Sequence, residues 1–589
     1  MNEINGGELL LRCLHQERVE HVHAITDGTY MSFLEPLERL GEEFGIRLVV
    51  PRHEAAAAHM CDAYTRVTGK PAVVMACAGP GAANLISGLI CAEAEGSPVV
   101  AITTTRRSDI GDAYLQHAAM QVGDQQGYFK AAVKWSGRVD HWKRLPDMVR
   151  HAFRMAMSGR PGPVHLLIPQ DILDAYGDLD SVELVEPERY RYSAMGRQAA
   201  NADAVRQAAE LLVNANQVGI HVGNGCERAG AGLEVRTLAE YLGMPVTKSA
   251  RGSAVIPCNH PNVIHTLTAG AFLSHNQADV LLIVGTRLGE MSAFGQPPFW
   301  PDGNSVKTIQ IDSEPTHIGV NRPVDVGLVG DAKAVLQQLI DAVKSLTGPR
   351  AQHPAVSEYK ALEGQWRHGL DELADDSQEP MSVGAAIREC DRFFGDDVIV
   401  TLDGGNTSWW GFQYLRARRE RSFVHSTVYG HLGTGLPYAI GAKLAEPERP
   451  VYCISGDSAF GFNLQELETS VREGLPVTCI VMVDGAWGME KTAQKRTWGR
   501  EAPWFHTQNL EEMRFDQVCE SLGGHGEYVT KASDLRGALE RATALGKTSV
   551  IHCVIDPESN VWPPSIEAWN ALRSGKTAEF LTSQLALLG

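Results

Sequence analysis

The sequence lacks a long apolar run and an excess of positive charge. Its longest apolar runs fall far short of the roughly 20 residues that a membrane-spanning helix needs. The net charge of −18 argues against a general nucleic-acid-binding protein, although a local basic pocket for an anionic ligand stays compatible with it. The N-terminus, MNEINGGELLLRCLHQERV, carries acids and bases through its apolar stretch, which is not typical of a secretory signal peptide.

The chain also lacks a CxxC pair among its eleven cysteines. Several of them, such as Cys453, Cys479 and Cys553, lie inside apolar runs that read as buried strands. This distribution indicates small core residues in a reducing compartment rather than a disulfide framework. We therefore expect a cytoplasmic protein.

What the sequence does contain is a repeated alternation of apolar strands and helical stretches. A chain of 589 residues is too long for one hydrophobic core, and roughly three or four domains are expected. The predicted strands are RLVV, AVVMA, PVVAIT and VHLLIP, then VGIHVG, DVLLIVG and KTIQID, then VIVTLDGG, VYCISGD, VTCIVMVDG and SVIHCVID. This rhythm predicts an α/β protein of three doubly wound parallel sheets. The predicted domains are residues 1–185, 195–345 and 375–559, followed by a C-terminal appendage over 560–589.

Two aspartates follow neighbouring strands of the third domain. Asp457 ends the apolar run VYCIS, Asp484 ends CIVMV, and the segment between them has helical spacing. A strand, helix, strand unit brings the carboxyl ends of both strands to one edge of a parallel sheet. Two carboxylates held close together repel each other unless a cation lies between them, and Mg²⁺ prefers such oxygen ligands. The pair predicts a metal site; the alternative is an ordinary turn capped by Asp457.

Small residues follow the first of these aspartates. Ser458, Ala459 and Gly461 are expected to leave backbone N–H groups open at the start of a helix. Such groups form a phosphate site.

The first domain carries a separate candidate. Glu54 follows a predicted strand and opens an alanine-rich helix, and the turn Ala78–Gly79–Pro80–Gly81 comes later in the same domain. The turn lets another element approach the backbone closely. The alternative for Glu54 is an acid that only stabilises a helix N-terminus.

Taken together, these features resemble the thiamine-diphosphate enzymes of the acetolactate synthase, pyruvate oxidase and benzoylformate decarboxylase superfamily. The shared signature is a glutamate at the first strand–helix junction, a GPG turn, and a GD motif before a second metal-ligand position. Here the usual GDG is GDS, and the usual paired asparagines are Val483 and Asp484. The resemblance implies a pyrimidine-binding, a central and a diphosphate-binding domain, a small-molecule substrate, and an active site built between two subunits. It also implies at least a homodimer, with a homotetramer favoured, and gives no reason to expect nucleic acid or a membrane as partner.

The resemblance also assigns roles to matching residues. Asp457, Asp484 and the Ala486 carbonyl would hold Mg²⁺ against the diphosphate. Leu432 would be the apolar wedge that bends the cofactor, and Glu54 would donate a hydrogen bond to the pyrimidine ring. The remaining cofactor-binding candidates are Gly405, Asn406, Thr407, Gly430, Ser458, Ala459, Trp487, Gly488 and Met489.

Two stretches of the sequence bear on the substrate. Met120, Gln121 and Val122 stand where acetolactate synthases carry a Phe-Gln-Glu triplet. The glutamine is kept, which makes Gln121 a further catalytic candidate, and the acid is gone. The central domain, with FGQPP and IQID, is more similar to 2-hydroxyacyl-CoA lyases and oxalyl-CoA decarboxylases. That similarity implies a bound ADP, with FAD as the alternative. The nucleotide or CoA candidates are Arg160, Arg287, Asp312, Asp331 and, in the tail, Arg573; each of the first four could instead belong to a surface ion pair.

Two acid–base candidates and a lid complete the predicted site. Glu490 stands where typical relatives have an apolar residue; the alternative is a surface pair with Lys491 or Lys495. His431 precedes the wedge leucine; the alternative is a histidine satisfied by backbone. A tail with Trp562, Trp569, Arg573 and Lys576 could cover a large anionic ligand, or could only pack on a neighbouring subunit.

These observations favour a thiamine-diphosphate-dependent carbon–carbon lyase. Its expected substrate is a 2-hydroxyacyl-CoA, cleaved to an aldehyde or ketone plus formyl-CoA. The alternative is an acetolactate-synthase-like carboligase or decarboxylase of a free 2-oxo acid.

Overall fold

The computed structural model describes residues 2–108, 120–121, 123–499, 506–509, 513–564 and 566. The strands are β1 (Glu3–Asn5), β2 (His21–Ala24), β3 (Arg47–Val49), β4 (Ala72–Ala76), β5 (Val99–Thr105), β6 (Trp135–Arg138), β7 (Val164–Pro169), β8 (Tyr176–Asp178), β9 (Val218–Val222), β10 (Val246–Lys248), β11 (Val280–Val284), β12 (Lys307–Asp312), β13 (Val326–Val329), β14 (Ile399–Asp403), β15 (Phe423–His425), β16 (Val451–Gly456), β17 (Thr478–Val483), β18 (His525–Val529) and β19 (Ser549–Val554).

The α-helices of the described residues follow the same alternation. They are α1 (Gly6–Gln16), α2 (Met31–Phe44), α3 (Glu54–Thr68), α4 (Pro80–Glu95), α5 (Gln125–Phe129), α6 (Leu145–Met157), α7 (Gln170–Asp174), α8 (Tyr192–Met195), α9 (Ala202–Asn214), α10 (Asn224–Arg228), α11 (Gly232–Leu242), α12 (Ala269–Asn276), α13 (Ala332–Leu346), α14 (Pro354–Leu373), α15 (Val383–Phe393), α16 (Asn406–Tyr414), α17 (Gly435–Ala445), α18 (Asp457–Phe460), α19 (Glu466–Arg472), α20 (Gly488–Trp498), α21 (Phe515–Ser521) and α22 (Ala532–Leu545).

Three parallel sheets organise the chain, which confirms the predicted fold class. Their strand orders are β3-β2-β4-β5-β7-β6, β10-β9-β11-β12-β13 and β15-β14-β16-β17-β19-β18. Strands β4, β5, β11 and β17 are buried on both faces over all or nearly all of their length, which explains their continuous apolar runs. The predicted domain limits stay predictions. Within the described ranges, no helix combines the length and apolarity that spanning a bilayer requires.

The chain forms two compact bodies, and the first comprises Met1–Gly196, Val428–Glu448 and Asn463–Leu475. Its alanine-rich helix α3 is buried on nearly every side, because α4 and α17 pack against it at short range. A Cβ atom at Gly88 would lie 2.6 Å from the Ala58 Cβ, and one at Gly441 would lie 2.2 Å from the Met60 carbonyl oxygen. Small residues on these helices therefore permit their close packing.

The second body comprises Arg197–Thr427, Arg449–Phe462 and Pro476–Gly589, and it holds the other two sheets. The polar segment after the central domain, which reads from the sequence as a separator, contains the 20-residue helix α14. The Tyr359 hydroxyl on this helix donates to the Gln277 side chain at 2.6 Å and accepts from Gln217 at 2.8 Å. Trp366 on the same helix is 2% exposed. The segment is thus part of the packed body.

Buried histidines give the protein a predicted sensitivity to acid. His165 is fully buried, its ring nitrogens lie at the Thr103 and Ser136 hydroxyls, and burial lowers the pKa of His165 to about 3. In the unfolded chain His165 binds a proton near pH 6.5, whereas in the folded chain it stays neutral until the pH approaches 3. The free energy of unfolding therefore falls as pH drops from 6.5 toward 3. Each such histidine contributes about 1.4 kcal/mol per pH unit in that window.

We expect His165→Gln to show a smaller loss of unfolding free energy between pH 7 and pH 5 than the wild type, measured by urea unfolding. The matched control is His368→Gln, because the His368 side chain is 78% exposed. Equal pH dependence in the wild type and the His165 variant would refute the assignment.

Candidate active site

The two predicted aspartates follow adjacent parallel strands. Strands β16 and β17 pair with Gly456 opposite Met482, so Asp457 and Asp484 emerge at the same edge of the sheet. Both are buried, at 5% and 9% exposure. The structure therefore brings together the two carboxylates that the sequence singles out.

Backbone and side-chain donors hold both carboxylates in place. Asp457 accepts from the Ser458 N–H at 2.6 Å and from the Gly485 N–H at 3.0 Å. Asp484 accepts from the Ala486 N–H at 3.2 Å and from the Asn560 side-chain amide at 3.0 Å. These bonds fix the orientation of the oxygens that face any bound cation.

The pair carries more negative charge than its surroundings compensate. Burial, and then the neighbouring Asp484 carboxylate, raise the pKa of Asp457 to about 7, and burial raises the pKa of Asp484. The Lys491 ammonium lies 3.9 Å from Asp484 and donates to the Pro557 carbonyl. A site with two buried carboxylates favours a divalent cation.

The donor atoms around the pair suit Mg²⁺ with a diphosphate. The Oδ1 atoms of Asn406 and Asn560 are buried and have no hydrogen-bond partner among the described residues. The Ala486 carbonyl accepts from the Ser458 hydroxyl at 3.0 Å. Hard oxygen donors of this kind are the ligands that Mg²⁺ prefers. The residues present therefore fit the metal and the diphosphate.

The loop after β14 supplies an anion-binding helix start and a tight cradle. Gly405 precedes α16, and no side chain of the described residues caps that helix, which leaves its first N–H groups available to an anion. Asn406 and Thr407 in its first turn are buried. A Cβ atom at Gly405 would lie 2.6 Å from the Met489 Cβ, and one at Gly488 would lie 2.9 Å from the Asp484 Oδ2. Only glycine fits at these two positions.

One expectation about the Asp457 loop, which follows β16, is wrong. The Ser458 N–H donates to the Asp457 carboxylate, and the Gly461 N–H donates to the Asp457 carbonyl at 3.0 Å. Helix α18 is a single turn, so it closes on itself instead of presenting these two N–H groups. The prediction that Ala459 contributes to the cofactor site stays a prediction.

The next loop presents Trp487, Met489 and Glu490. The Trp487 N–H donates to the Thr507 carbonyl at 2.7 Å, and its ring lies 6.0 Å from that of Phe462. Glu490 is exposed in the first turn of α20. Lys491 lies at Asp484 and Lys495 lies 3.4 Å from Glu558, so both lysines of the alternative interpretation have other partners.

In the first body, Glu54 lies beside the GPG turn as the sequence suggests. It begins α3 and accepts from the Asn84 side-chain amide at 2.9 Å. A Cβ atom at Gly81 would lie 3.0 Å from the Glu54 Oε1, and one at Gly79 would lie 3.0 Å from the Gln121 Cα. The turn thus brings Glu54 and Gln121 to the same region of this body.

The loop before α17 carries the other candidates of the first body. Gly430 has a φ of +70°, which favours glycine, and Leu432 is half-buried. The His431 Nδ1 lies 2.6 Å from the Leu432 carbonyl oxygen. This nitrogen is therefore satisfied by backbone, and Nε2 is the ring nitrogen that is left for other chemistry.

The nucleotide candidates lie in different places. Arg287 and Asp331 follow β11 and β13, and Asp312 ends the intervening strand β12, so all three lie at one edge of the second sheet. Asp331 pairs with Arg197 at 2.9 Å, which is the ion-pair role of the alternative. Arg160 belongs to the first body and pairs with Glu93 at 2.7 Å. The proposed nucleotide role of all four stays a prediction.

The start of the tail reaches the aspartate site. The Asn406 amide donates to the Asn560 carbonyl at 2.6 Å, and the Trp410 indole donates to the Val561 carbonyl at 2.8 Å. The Arg496 guanidinium lies 5.0 Å from the Trp562 ring centre. Trp569, Arg573 and Lys576 lie outside the described residues, so their predicted role is not addressed by the structure.

Three asparagines line these sites and are not part of any of the sequence motifs. Asn560 bonds Asp484, Asn84 bonds Glu54, and Asn509 donates to the Ser458 hydroxyl at 2.6 Å. A usable signal exists for Asn84, since it is the first polar side chain in the largely apolar start of α4, PGAANLISGL. Asn560 and Asn509 are far from the motifs in sequence and are placed by the fold alone.

The chain matches three family models along its length. They are "Thiamine pyrophosphate enzyme, N-terminal TPP binding domain" over residues 4–128, the central domain of the same enzymes over 205–339, and the C-terminal TPP binding domain over 403–553. Together the matches cover more than half of the chain.

Curated relatives align over nearly the whole chain. A sulfoacetaldehyde acetyltransferase of Alcaligenes xylosoxydans xylosoxydans is 32% identical over 546 residues, covering 87% of each chain. The acetolactate synthase large subunit of Corynebacterium glutamicum is 30% identical over 575 residues, covering 95% of this chain and 88% of the relative. The acetolactate synthase isozyme 3 large subunit of Escherichia coli is 28% identical over 575 residues, covering 96% and 97%.

Proposed function

The chain belongs to the thiamine pyrophosphate enzymes, and on that premise we propose that it is a carbon–carbon lyase acting on a 2-hydroxyacyl-CoA. The reaction cleaves the bond between the thioester carbon and the hydroxyl-bearing carbon, giving an aldehyde or ketone plus formyl-CoA. When bound, thiamine diphosphate supplies the nucleophilic carbon and the electron sink for this cleavage. The chain's own residues anchor the cofactor and move protons.

Anchoring is the task of the second body. Asp457, Asp484 and the Ala486 carbonyl would hold Mg²⁺, and the free N–H groups at the start of α16 would contact the diphosphate. In the first body, Glu54 would hold a proton at the pyrimidine ring, with Asn84 keeping its carboxyl in position. These roles rest on the donor set and on family membership.

Glu490 is the observation that favours the lyase. Cleavage of a 2-hydroxyacyl thioester yields a carbonyl compound only if the 2-hydroxyl loses its proton, so a base is needed. Loss of carbon dioxide from a 2-oxo acid has no such requirement, so a base here separates the lyase from a simple decarboxylase. Carboligation needs the same proton transfer when its product is released. Glu490 offers an exposed carboxylate on the helix that follows the Asp484 loop, and its neighbouring lysines are paired elsewhere. His431, through Nε2, is the second candidate base.

The second candidate function is carboligation of a free 2-oxo acid. The names of the relatives favour it, since one is an acetyltransferase and others are acetolactate synthases. For either function we propose a homotetramer, with a nucleotide, ADP before FAD, at the central sheet edge near Arg287, Asp312 and Asp331.

We expect the purified enzyme with thiamine diphosphate and Mg²⁺ to convert a 2-hydroxyacyl-CoA to formyl-CoA, identified by mass spectrometry. Glu490→Gln should lower kcat by roughly 10²–10⁴-fold with little change in KM, because the base is lost while the binding surface is kept. The matched control is Glu558→Gln, which alters an exposed carboxylate of the same body.

Turnover of pyruvate alone would reject the CoA assignment and favour the carboligase. Equal kcat values for the wild type and Glu490→Gln would remove Glu490 from the chemistry.

A further inference from the structure

Three metal-ligating side chains meet in the first body. His59 lies on α3, Cys91 lies on α4, and His431 precedes α17. One ligand atom from each lies within 4.8 Å of the other two. All three residues belong to the first body, and His431 is also one of the acid–base candidates of the proposed reaction.

His59 is the member whose environment is unexplained. Its side chain is 0% exposed, and neither ring nitrogen has a hydrogen-bond partner among the described residues. Buried polar groups are almost always partnered, so an orphaned imidazole points to a missing ligand. Its ring lies 5.0 Å from the His431 ring, edge to face.

His431 is oriented as metal-bound histidines usually are. Its Nδ1 lies 2.6 Å from the Leu432 carbonyl oxygen, so this nitrogen carries the hydrogen and donates it. In the neutral ring the lone pair then belongs to Nε2. A histidine that donates one ring N–H to a carbonyl and ligates through the other nitrogen is the common second-shell pattern of metal sites.

We propose that His59, Cys91 and His431 form a site for zinc. Two imidazoles and a thiolate are soft or borderline donors that select zinc over magnesium. In a tetrahedral zinc site the ligand atoms lie roughly 3.3–3.6 Å apart. The three ligand atoms of this cluster lie within 4.8 Å of one another, so they need to move closer together by only about 1 Å. Three protein ligands leave a fourth position open, and the partly exposed His431 provides the entry side.

A zinc ion in this position has a consequence for catalysis. It takes the Nε2 lone pair of His431, so zinc inhibits any reaction in which His431 acts as a base. This consequence rests on the proposed function, whereas zinc binding does not depend on it.

The test uses the full-length protein, treated with a chelator and then saturated with Mg²⁺ to occupy the aspartate pair. Zinc is titrated in competition with a chromophoric chelator, and Co²⁺ is used as a spectroscopic substitute. We expect one zinc per chain, a thiolate-to-cobalt absorption band, and a loss of affinity of about 100-fold or more in Cys91→Ser and in His59→Gln. Cys61→Ala is the matched control, because Cys61 is a buried thiol on the same helix as His59.

Zinc binding that is absent, that survives in Cys91→Ser, or that gives no thiolate band would overturn the proposal. Circular dichroism establishes folding of each variant. If Cys91→Ser does not fold, His59→Gln decides the question by the same titration. Because the readout is binding, failure of the lyase assignment would leave the zinc result unaffected.

Discussion

Replacing Asp457 with alanine is expected to lower the affinity for thiamine diphosphate by at least about 100-fold in the presence of Mg²⁺. Even residues that only support a metal ligand typically change metal affinity by about 10- to 100-fold, and Asp457 is proposed as a ligand itself. The substitution leaves Asp484 as the one carboxylate of the pair. The diphosphate charge is then poorly compensated, and the Ser458 and Gly485 N–H groups lose their acceptor. Calorimetric titration of the cofactor measures the change.

Two variants separate the metal role from general damage. Asp457→Asn keeps an oxygen ligand and should lose less affinity than the alanine variant. Asp516→Ala removes another buried carboxylate of the same body, one that pairs with Arg514, and should lower stability while leaving cofactor affinity unchanged. Unchanged cofactor binding in Asp457→Ala would show that the aspartate pair has another purpose.

Replacing Glu54 with glutamine is expected to slow exchange of the cofactor's C2 proton by about 10²–10⁴-fold while the cofactor still binds. Glutamine has the same shape and still accepts the hydrogen bond from Asn84, so the local structure should persist. What it lacks is the carboxyl proton that the mechanism needs at the pyrimidine ring. Exchange takes place in deuterated buffer, is stopped by a quench, and is measured by nuclear magnetic resonance.

Asn84→Ala provides a graded comparison. It removes only the positioning hydrogen bond, so exchange should slow by less than in Glu54→Gln, and its rate should recover in Asn84→Gln if the longer amide reaches the carboxyl. Exchange at the wild-type rate in Glu54→Gln would remove Glu54 from cofactor activation.

The sequence predicts the interior of the sheets better than their edges. Strands β6, β10, β13, β15 and β18 are not recognisable from the sequence, and each lies at the edge of a sheet. Edge strands have one bonded neighbour and are short or polar, so their runs lack the continuous apolar character of the centre. Strand β2 lies in the interior of its sheet and is also not recognisable from the sequence, because His21 and His23 interrupt its apolar residues.

Site residues can be predicted from the sequence where they come directly after a strand. Asp457 and Asp484 come directly after β16 and β17, and a parallel sheet collects such residues at one edge. Glu54 follows β3 of another sheet after a short loop. Asn560 and Asn84 are not predictable in this way, because an asparagine at a distance in sequence is common and only the fold brings it to a carboxylate. The His59, Cys91 and His431 cluster joins three separate segments for the same reason.

The proposal that Mg²⁺ at Asp457 and Asp484 anchors the diphosphate is tested by titrating thiamine diphosphate into the wild-type protein. The titration is made first with Mg²⁺ and then after removal of divalent metal by a chelator. We expect tight binding with Mg²⁺ and a loss of about 100-fold or more without it, because the buried carboxylates Asp457 and Asp484 then repel the diphosphate. Equal affinity with and without metal would contradict it.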